Sequence, residues 1–367
     1  MNILFLTTHF NTGGITSYIL TLAKELRKKN HNVYVVTSGG NMVVKLSPLG
    51  IGHLTLDIRT KSELSPKIYG NLGKLIRFIR EKNIDIIHTH TRVTHVAGAI
   101  LKRLTKKPQV TTCHGFFKPR LSRKLFPCWG DAVIAISEAV SEHLTEDFRL
   151  NRKKVFLIPN GIDLSDFPLI DEATKKQKRQ AFNLCDEPVI GIIARLSDVK
   201  GHSILISAMQ DVVAEIPRAV LLVVGEGKLE ESLKKTVSEL KLTNNIRFYP
   251  LVDKTTEVLP LLDVFVMPSL QEGLGLSVME AQAMAIAVIG SRVGGIPSLI
   301  DDGKTGLLVT PGDTKALSRA IIELLRNKNK AREMGLAARK FIEREFSSDK
   351  MVEKTLDCYK QVLAGKT

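Results

Sequence analysis

The stretch "NILFLTTHFNTGGITSYILTLAKELRKKNHNVYVVTS", residues 2–38, decides how the rest of the chain is read. Two short apolar runs, NILFLTT and HNVYVVTS, flank an amphipathic one, TSYILTLAKELRKKN. Strand, helix, strand is the repeating unit of a parallel sheet, because a parallel return needs a long crossover, and a helix laid on the sheet supplies it. The pattern continues through IDIIHTH, PQVTTCHG, AVIAIS and VFLIPNG, with IYGNLGKLIRFIREKN as a further helix. It restarts after the charged DEATKKQKRQ, residues 171–180, as PVIGIIAR, RAVLLVVGEG, NIRFYPLV, VFVMPS, AVIGS and GLLVTP. The reading is α/β: two doubly wound parallel-sheet domains joined near residues 165–185, with a helical tail from about 331. Such sheets bind ligands at the carboxyl ends of their strands, so two facing each other predict a cleft and a site within it.

Bulk properties agree. A chain of 367 residues with 44% hydrophobic and 25% charged residues has length for two ordinary domains and the composition of a folded, soluble protein. No apolar stretch reaches the eighteen or so residues of a membrane span, and the N-terminus reads as a first strand rather than a signal peptide. Cys113, Cys128, Cys185 and Cys358 are scattered without CxxC spacing, which argues against a zinc site or disulfide framework and fits a reducing cytoplasm. The net charge of +15 is uneven: residues 1–150 hold 22 Lys and Arg against 10 Asp and Glu, leaving only +3 for the remainder. A basic half attracts anions, be they headgroups, phosphorylated substrates or nucleic acid.

Gly13 and Gly14 follow the first strand and open a helix, but GxGxxG is absent there, and Gly225-x-Gly227 lacks the third glycine as well. Nicotinamide chemistry is therefore not expected, although a glycine pair still lets backbone N–H groups approach a phosphate. Arg195 and Lys200, in ARLSDVKG after the strand PVIGII, can converge on one anion as fork and point charge. No DxD triplet exists to hold a metal–diphosphate, so a bound diphosphate would be neutralised by Arg195 and Lys200, with no metal ligand among the predicted site residues. In SLQEGLGLSVMEAQAMA, residues 269–285, Glu272 lies in a loop and Glu280 inside the following helix. The helix start between them is an anion site, and acids among apolar neighbours need a partner.

In their order and spacing, Gly13-Gly14, HTH (88–90), CHG (113–115), AISE (135–138), PNGID (159–163), ARLSDVKG (194–201), Glu272-x7-Glu280 and DGKTGLLV (302–309) resemble the retaining, nucleotide-sugar-dependent glycosyltransferases of family 4. The resemblance implies the GT-B fold, two Rossmann-like domains around a deep cleft. It implies domains 1–165 for the acceptor and 166–345 for the nucleotide sugar, with a terminal helix, 346–367, packing back on the first. It implies that Arg195 and Lys200 hold the donor diphosphate, Glu280 the ribose hydroxyls, and Glu272 the transferred sugar, helped by N–H groups of Gly273, Leu274, Gly275 and Leu276. His114 would sit near the reacting carbon, Gly13 and Gly14 would approach the diphosphate, and Val252 in FYPLVD (248–253) would border the base. The donor is then a co-substrate, UDP-sugar before GDP-mannose, and no cofactor or metal is needed. Ala285, Ala287 and Ser298 depart from the family's usual glycine, proline and glutamate; an alanine in a left-handed helix end costs roughly 1 kcal/mol.

The segment HGFFKPRLSRKLFPCWG, residues 114–130, interleaves Phe116, Phe117, Leu121, Leu125, Phe126 and Trp129 with Lys118, Arg120, Arg123 and Lys124. Aromatics beside cations suit a membrane interface. The expectation is a cytoplasmic enzyme held peripherally at the inner face of an anionic membrane, glycosylating a lipid-linked or saccharide acceptor; packing over the sheet with a soluble acceptor is the plainer reading. No nucleic-acid motif accompanies the aromatics. The competing functions are a catalytically silent sugar-nucleotide binding module and a GT-B sugar-nucleotide epimerase, for which no further acid–base set is visible.

Overall fold

The computed structural model describes residues 1–60, 62–63, 65–119, 123 and 126–365. The chain divides into two compact units: Met1–Gly161 with Ser348–Thr367, and Ile162–Ser347. The boundary falls a few residues before the expected one. The charged stretch 171–180 is not the joint but a helix of the second unit, Glu172–Ala181. Its Lys175 and Arg179 both pair with Asp263, at 3.0 and 2.7 Å, which is why so polar a segment stays on the sheet.

The first unit holds β1 (Asn2–Leu6), β2 (Asn32–Thr37), β3 (Gly52–Thr55), β4 (Ile86–Thr89), β5 (Gln109–Cys113), β6 (Ala132–Ala135) and β7 (Val155–Leu157). They form one sheet in the order β3-β2-β1-β4-β5-β6-β7, and every pairing is parallel. β3, with the sequence GHLT, escapes the sequence reading because it is a four-residue, half-buried edge strand with little apolar content. The helix Gly14–Lys28 lays Tyr18, Ile19, Leu22, Ala23 and Leu26 on the sheet, the spacing of one helical face. Helix Ser348–Leu363 adds Met351, Val352, Leu356, Tyr359 and Val362 to the same core cluster. Each large apolar side chain buried this way contributes about 1.5–3 kcal/mol.

The second unit holds β8 (Val189–Ile193), β9 (Val220–Val224), β10 (Ile246–Tyr249), β11 (Val264–Met267), β12 (Ala287–Ser291) and β13 (Leu307–Val309), ordered β10-β9-β8-β11-β12-β13. The central strands β8, β9 and β11 carry no polar side chain and are buried throughout, as a parallel sheet covered by helices requires. Each sheet reverses its winding once, between β1 and β4 and between β8 and β11. Those reversals leave a crevice beyond the strand ends.

Candidate functional site

In the first unit, Gly13 is the N-cap of helix Gly14–Lys28, and neither a capping side chain nor a first-turn acid covers that helix start. Its N–H groups and the positive end of the helix dipole therefore stay open to an anion. His90 follows β4 and His114 follows β5. His90 Nδ1 lies 3.2 Å from His114 Nε2. His88 is stacked on His90, ring centroids 4.3 Å apart. His88 in turn hydrogen-bonds the Tyr359 hydroxyl through Nδ1 at 2.6 Å and the Thr112 hydroxyl through Nε2 at 2.7 Å. Tyr18 stands edge-on to His90 and His114, at 5.7 and 4.8 Å.

Charging three imidazoles this close, away from water, is prohibitive. Burial pushes the pKa of His88 and of His114 down to about 3, and that of His90 well below its ordinary value. At neutral pH the group is uncharged, so His114 acts as a hydrogen-bonding group and not as a cation. Of this cluster the sequence reading singled out His114 alone. The available signal was HTH itself: residues 88 and 90 are two apart, and period two places them on one face. Tyr359, 271 positions away in sequence, carried none.

In the second unit, Arg195 follows β8 and is exposed, with no ion pair or hydrogen bond to its guanidinium among the described residues. Lys200 closes a short 3₁₀ turn, Asp198–Lys200. Its ammonium does not stand free: Lys200 Nζ is 2.5 Å from Glu272 Oε2, which also accepts from Ser269 Oγ at 3.3 Å. The backbone imposes this pairing. Leu270 N and Gln271 N both donate to Val199 O, at 2.8 and 3.3 Å, so the loops bearing Lys200 and Glu272 are tied together. On the other side Gly295 N donates to Glu272 O at 3.2 Å. Gly294, at φ 54°, is what allows that approach: a Cβ there would sit 1.7 Å from Glu272 O.

Gly225 and Gly227, which fail as a dinucleotide fingerprint, find a different use here. A Cβ on either would strike a backbone carbonyl, Ala194 O at 2.1 Å or Leu196 O at 2.2 Å. The loop after β9 thereby presses directly on the backbone that carries Arg195.

Helix Leu276–Ala283 starts after Gly275, at φ 107°, and again lacks a capping side chain and a first-turn acid. Gly273 and buried Leu274 lead into it. Glu280 sits further along the same helix, where burial raises its carboxyl to a pKa of about 7 against the opposing hydrogen bond from the Thr255 side chain. Val252 lies between β10 and Thr255, half-buried. Thus Lys200, Glu272 and the open helix start share one strand-end region of the second sheet, with Glu280 and Thr255 facing each other nearby. Among the described residues no three His, Cys, Asp or Glu side chains converge so as to hold a metal ion.

The aromatic–basic segment divides. Arg120, Leu121, Lys124 and Leu125 lie outside the described residues. Trp129 is only 6% exposed and packs on His95, Phe117 and Phe148, so it belongs to the interior. Arg123 stacks on Phe117, its guanidinium 5.2 Å from the ring centre. Buried Arg92 forks onto Glu63 at 2.9 and 3.0 Å and donates to the carbonyls of Phe126 and Pro127. Phe126 remains 69% exposed, and Lys118 is exposed as well.

Residues 12–166 match the family model Glycosyltransferase Family 4 and residues 174–341 match Glycosyl transferases group 1. The chain is 27% identical to N-acetyl-alpha-D-glucosaminyl L-malate synthase of Bacillus anthracis, over 98% of this chain and 96% of the relative. It is 30% identical to alpha-maltose-1-phosphate synthase of Mycolicibacterium smegmatis, over 76% and 79%. To UDP-Gal:alpha-D-GlcNAc-diphosphoundecaprenol alpha-1,3-galactosyltransferase of Escherichia coli it is 27% identical, over 81% and 80%. Anabaena HepE, solved with UDP-glucose, shares the fold at a TM-score of 0.87 and 22% identity, over 98% and 100%. With two parallel α/β units and matches to both halves, the chain belongs to the family 4 glycosyltransferases and has the GT-B fold.

Proposed function

We propose that this glycosyltransferase moves a hexose from a nucleoside-diphosphate sugar, a UDP-sugar first and GDP-mannose second, to a saccharide or lipid-linked acceptor in cell-envelope glycan synthesis. Transfer retains the anomeric configuration and uses no metal or other cofactor. The observation that carries the reading is the strand-end grouping of the second unit: the Lys200–Glu272 pair beside an uncapped helix start that follows Gly275. Cleaving the sugar–phosphate bond builds positive charge on the sugar and further negative charge on the diphosphate. Arg195, Lys200 and the N–H groups of Gly273 to Leu276 are the preorganised donors for that charge. In the free protein Glu272 neutralises Lys200; donor phosphate takes a share of the ammonium, and Glu272 turns to the sugar hydroxyls. Glu280 accepts from the ribose hydroxyls, Val252 borders the base, and Gly13 and Gly14 offer N–H groups to the diphosphate. Neutral His114 hydrogen-bonds near the reacting carbon. The acceptor oxygen attacks from the face the phosphate leaves: the C1–O bond to phosphate breaks, the C1–O bond to the acceptor forms, and the acceptor's proton passes to the departing phosphate oxygen. No enzyme nucleophile is required.

Peripheral attachment to an anionic membrane at the cytoplasmic face is part of the same proposal. It is supported by the +12 balance of residues 1–150 and by exposed Phe126, while Trp129 is withdrawn from that surface. Among the described residues no helix is long and apolar enough to cross a membrane. Co-sedimentation with anionic vesicles at low salt tests attachment, and its absence removes it from the reading.

The chemistry is tested by Lys200→Ala and Glu272→Ala, assayed on a donor panel of UDP-sugars and GDP-mannose. Losing a preorganised charge at the reacting bond costs about 2.7–4 kcal/mol, so turnover should fall by a factor of about 10²–10³. Turnover at the parent rate in either variant overturns the assignment.

A further inference from the structure

A cavity of about 320 Å³ opens in the first unit against Lys102, Arg103, Gln109, Cys128, Trp129 and Lys154. Its position is set by topology. Gln109 is the first residue of β5, Gly130 precedes β6, Lys154 precedes β7, and Lys102 and Arg103 lie in the last turn of helix Arg92–Thr105. All are at the amino ends of the strands, whereas Gly13, His90 and His114 follow the carboxyl ends. The cavity is therefore not part of the site described above.

From its chemistry we infer that this cavity is a second ligand site, for a small phosphate ester that also carries hydroxyl groups, of the glycerophosphate type. Two kinds of observation converge on that class. The first is charge. Lys102 is matched by Asp131, whose other oxygen accepts from Gln109 N at 3.0 Å. Arg103 and Lys154 have no such partner: neither forms an ion pair or side-chain hydrogen bond among the described residues, and both border the cavity. An anion is what two uncompensated cations at one mouth attract.

The second is unmet hydrogen bonding in two residues that line it. Gln109 Oε1 and Trp129 Nε1 are both buried with no partner among the described residues. A buried polar atom that nothing meets is costly, so each of these two atoms favours a ligand that supplies its partner. One is an acceptor and the other a donor. A bare anion serves only the donor and repels the amide oxygen, whereas hydroxyl groups serve both. Trp129 also lines the cavity and brings apolar surface for the carbon chain between hydroxyls and phosphate. The volume lies at the small end of ligand pockets, which suits a headgroup-sized molecule and excludes a nucleotide sugar.

Phosphates of this kind reach a protein either free or as the headgroup of a lipid. Trp129 is the only tryptophan in the chain, so intrinsic fluorescence reports on this wall alone. The experiment titrates the full-length protein with sn-glycerol 3-phosphate, inorganic phosphate and glycerol, and separately with vesicles of phosphatidylglycerol or phosphatidylcholine, with calorimetry in parallel. A saturable response to glycerol 3-phosphate, stronger than to phosphate or glycerol alone, supports the site; a response to phosphatidylglycerol but not to phosphatidylcholine identifies the lipid headgroup as the source. The double variant Arg103→Ala, Lys154→Ala changes side chains at the mouth and should weaken binding roughly tenfold or more while leaving the melting temperature unchanged. Silence in both fluorescence and heat for every probe overturns the proposal, and so does undiminished binding in the folded double variant.

Discussion

In the proposed donor site, Glu280 should make donor binding depend on pH, with a sign that follows from its surroundings. Burial lifts its carboxyl from an ordinary 4.5 to about 7. A ribose hydroxyl donates best to the ionised form. With a pKa near 7, about one-tenth of the free protein carries that form at pH 6 and about nine-tenths at pH 8, so donor affinity should rise about ninefold, or ~1.3 kcal/mol, over that interval. Stability of the free protein runs the other way. The folded state holds the proton longer than the unfolded chain, so the contribution is complete below 4.5 and is lost as pH rises through 7. The assay is calorimetric titration with an intact nucleotide sugar, because both of its phosphates are esterified, whereas a free diphosphate titrates near pH 6 itself. Near pH 7 about half a proton should be released per donor bound, read from the dependence of heat on the buffer's ionisation enthalpy. Glu280→Gln should remove both the slope and the proton release and weaken binding at pH 8 by a factor of about ten. A flat affinity in the parent protein, or an equal slope in Glu280→Gln, would refute the reasoning.

Further expectations concern the scaffold. Ala285 closes helix Leu276–Ala283 at φ 57°, with Ile286 N bonded to Ala281 O and Ala285 N to Gln282 O, the two bonds of a Schellman cap. Ala285→Gly should stabilise the second unit by about 0.5–1 kcal/mol, the left-handed strain relieved less the added unfolded-state entropy, raising its melting temperature by about 1–4 °C with transfer activity retained. Gly335→Ala should do the reverse, since its Cβ would lie 2.0 Å from Ala285 O; overpacking of this kind costs about 1–3 kcal/mol and shows as an earlier thermal transition. Tyr359→Phe strips His88 Nδ1 of its partner inside the first unit, a loss of about 1–3 kcal/mol measurable by denaturant unfolding.

Much of the architecture is written in local pattern. Twelve of the thirteen strands among the described residues coincide with apolar runs readable in the chain, and the pattern is plainest in central strands such as β8, β9 and β11, since a strand buried on both faces must be apolar. β3 lacks that signature since it is a half-buried edge. The stretch 171–180 shows the opposite failure: its charge suggests a joint, but Asp263 holds it as a helix on the second unit. Motif order also located the residues that gather after β8 and β11. It did not reveal that Lys200 and Glu272 neutralise each other, a matter of two loops bonded through Val199. Nor did it show that Trp129 faces inward, since an aromatic beside cations reads the same on a surface or in a core.

By itself the sequence determined the alternation of strands and helices, the two-unit division, and the acids, cations and glycines at the strand ends, because periodicity and spacing are properties of the chain alone. The tertiary structure decided what those groups touch. The neutral stack of His88, His90 and His114 against Tyr359, the left-handed cap at Ala285, and the raised carboxyl of Glu280 all depend on which distant segments exclude water from them. Burial and long-range pairing set protonation and strain, and neither is carried by neighbours in sequence.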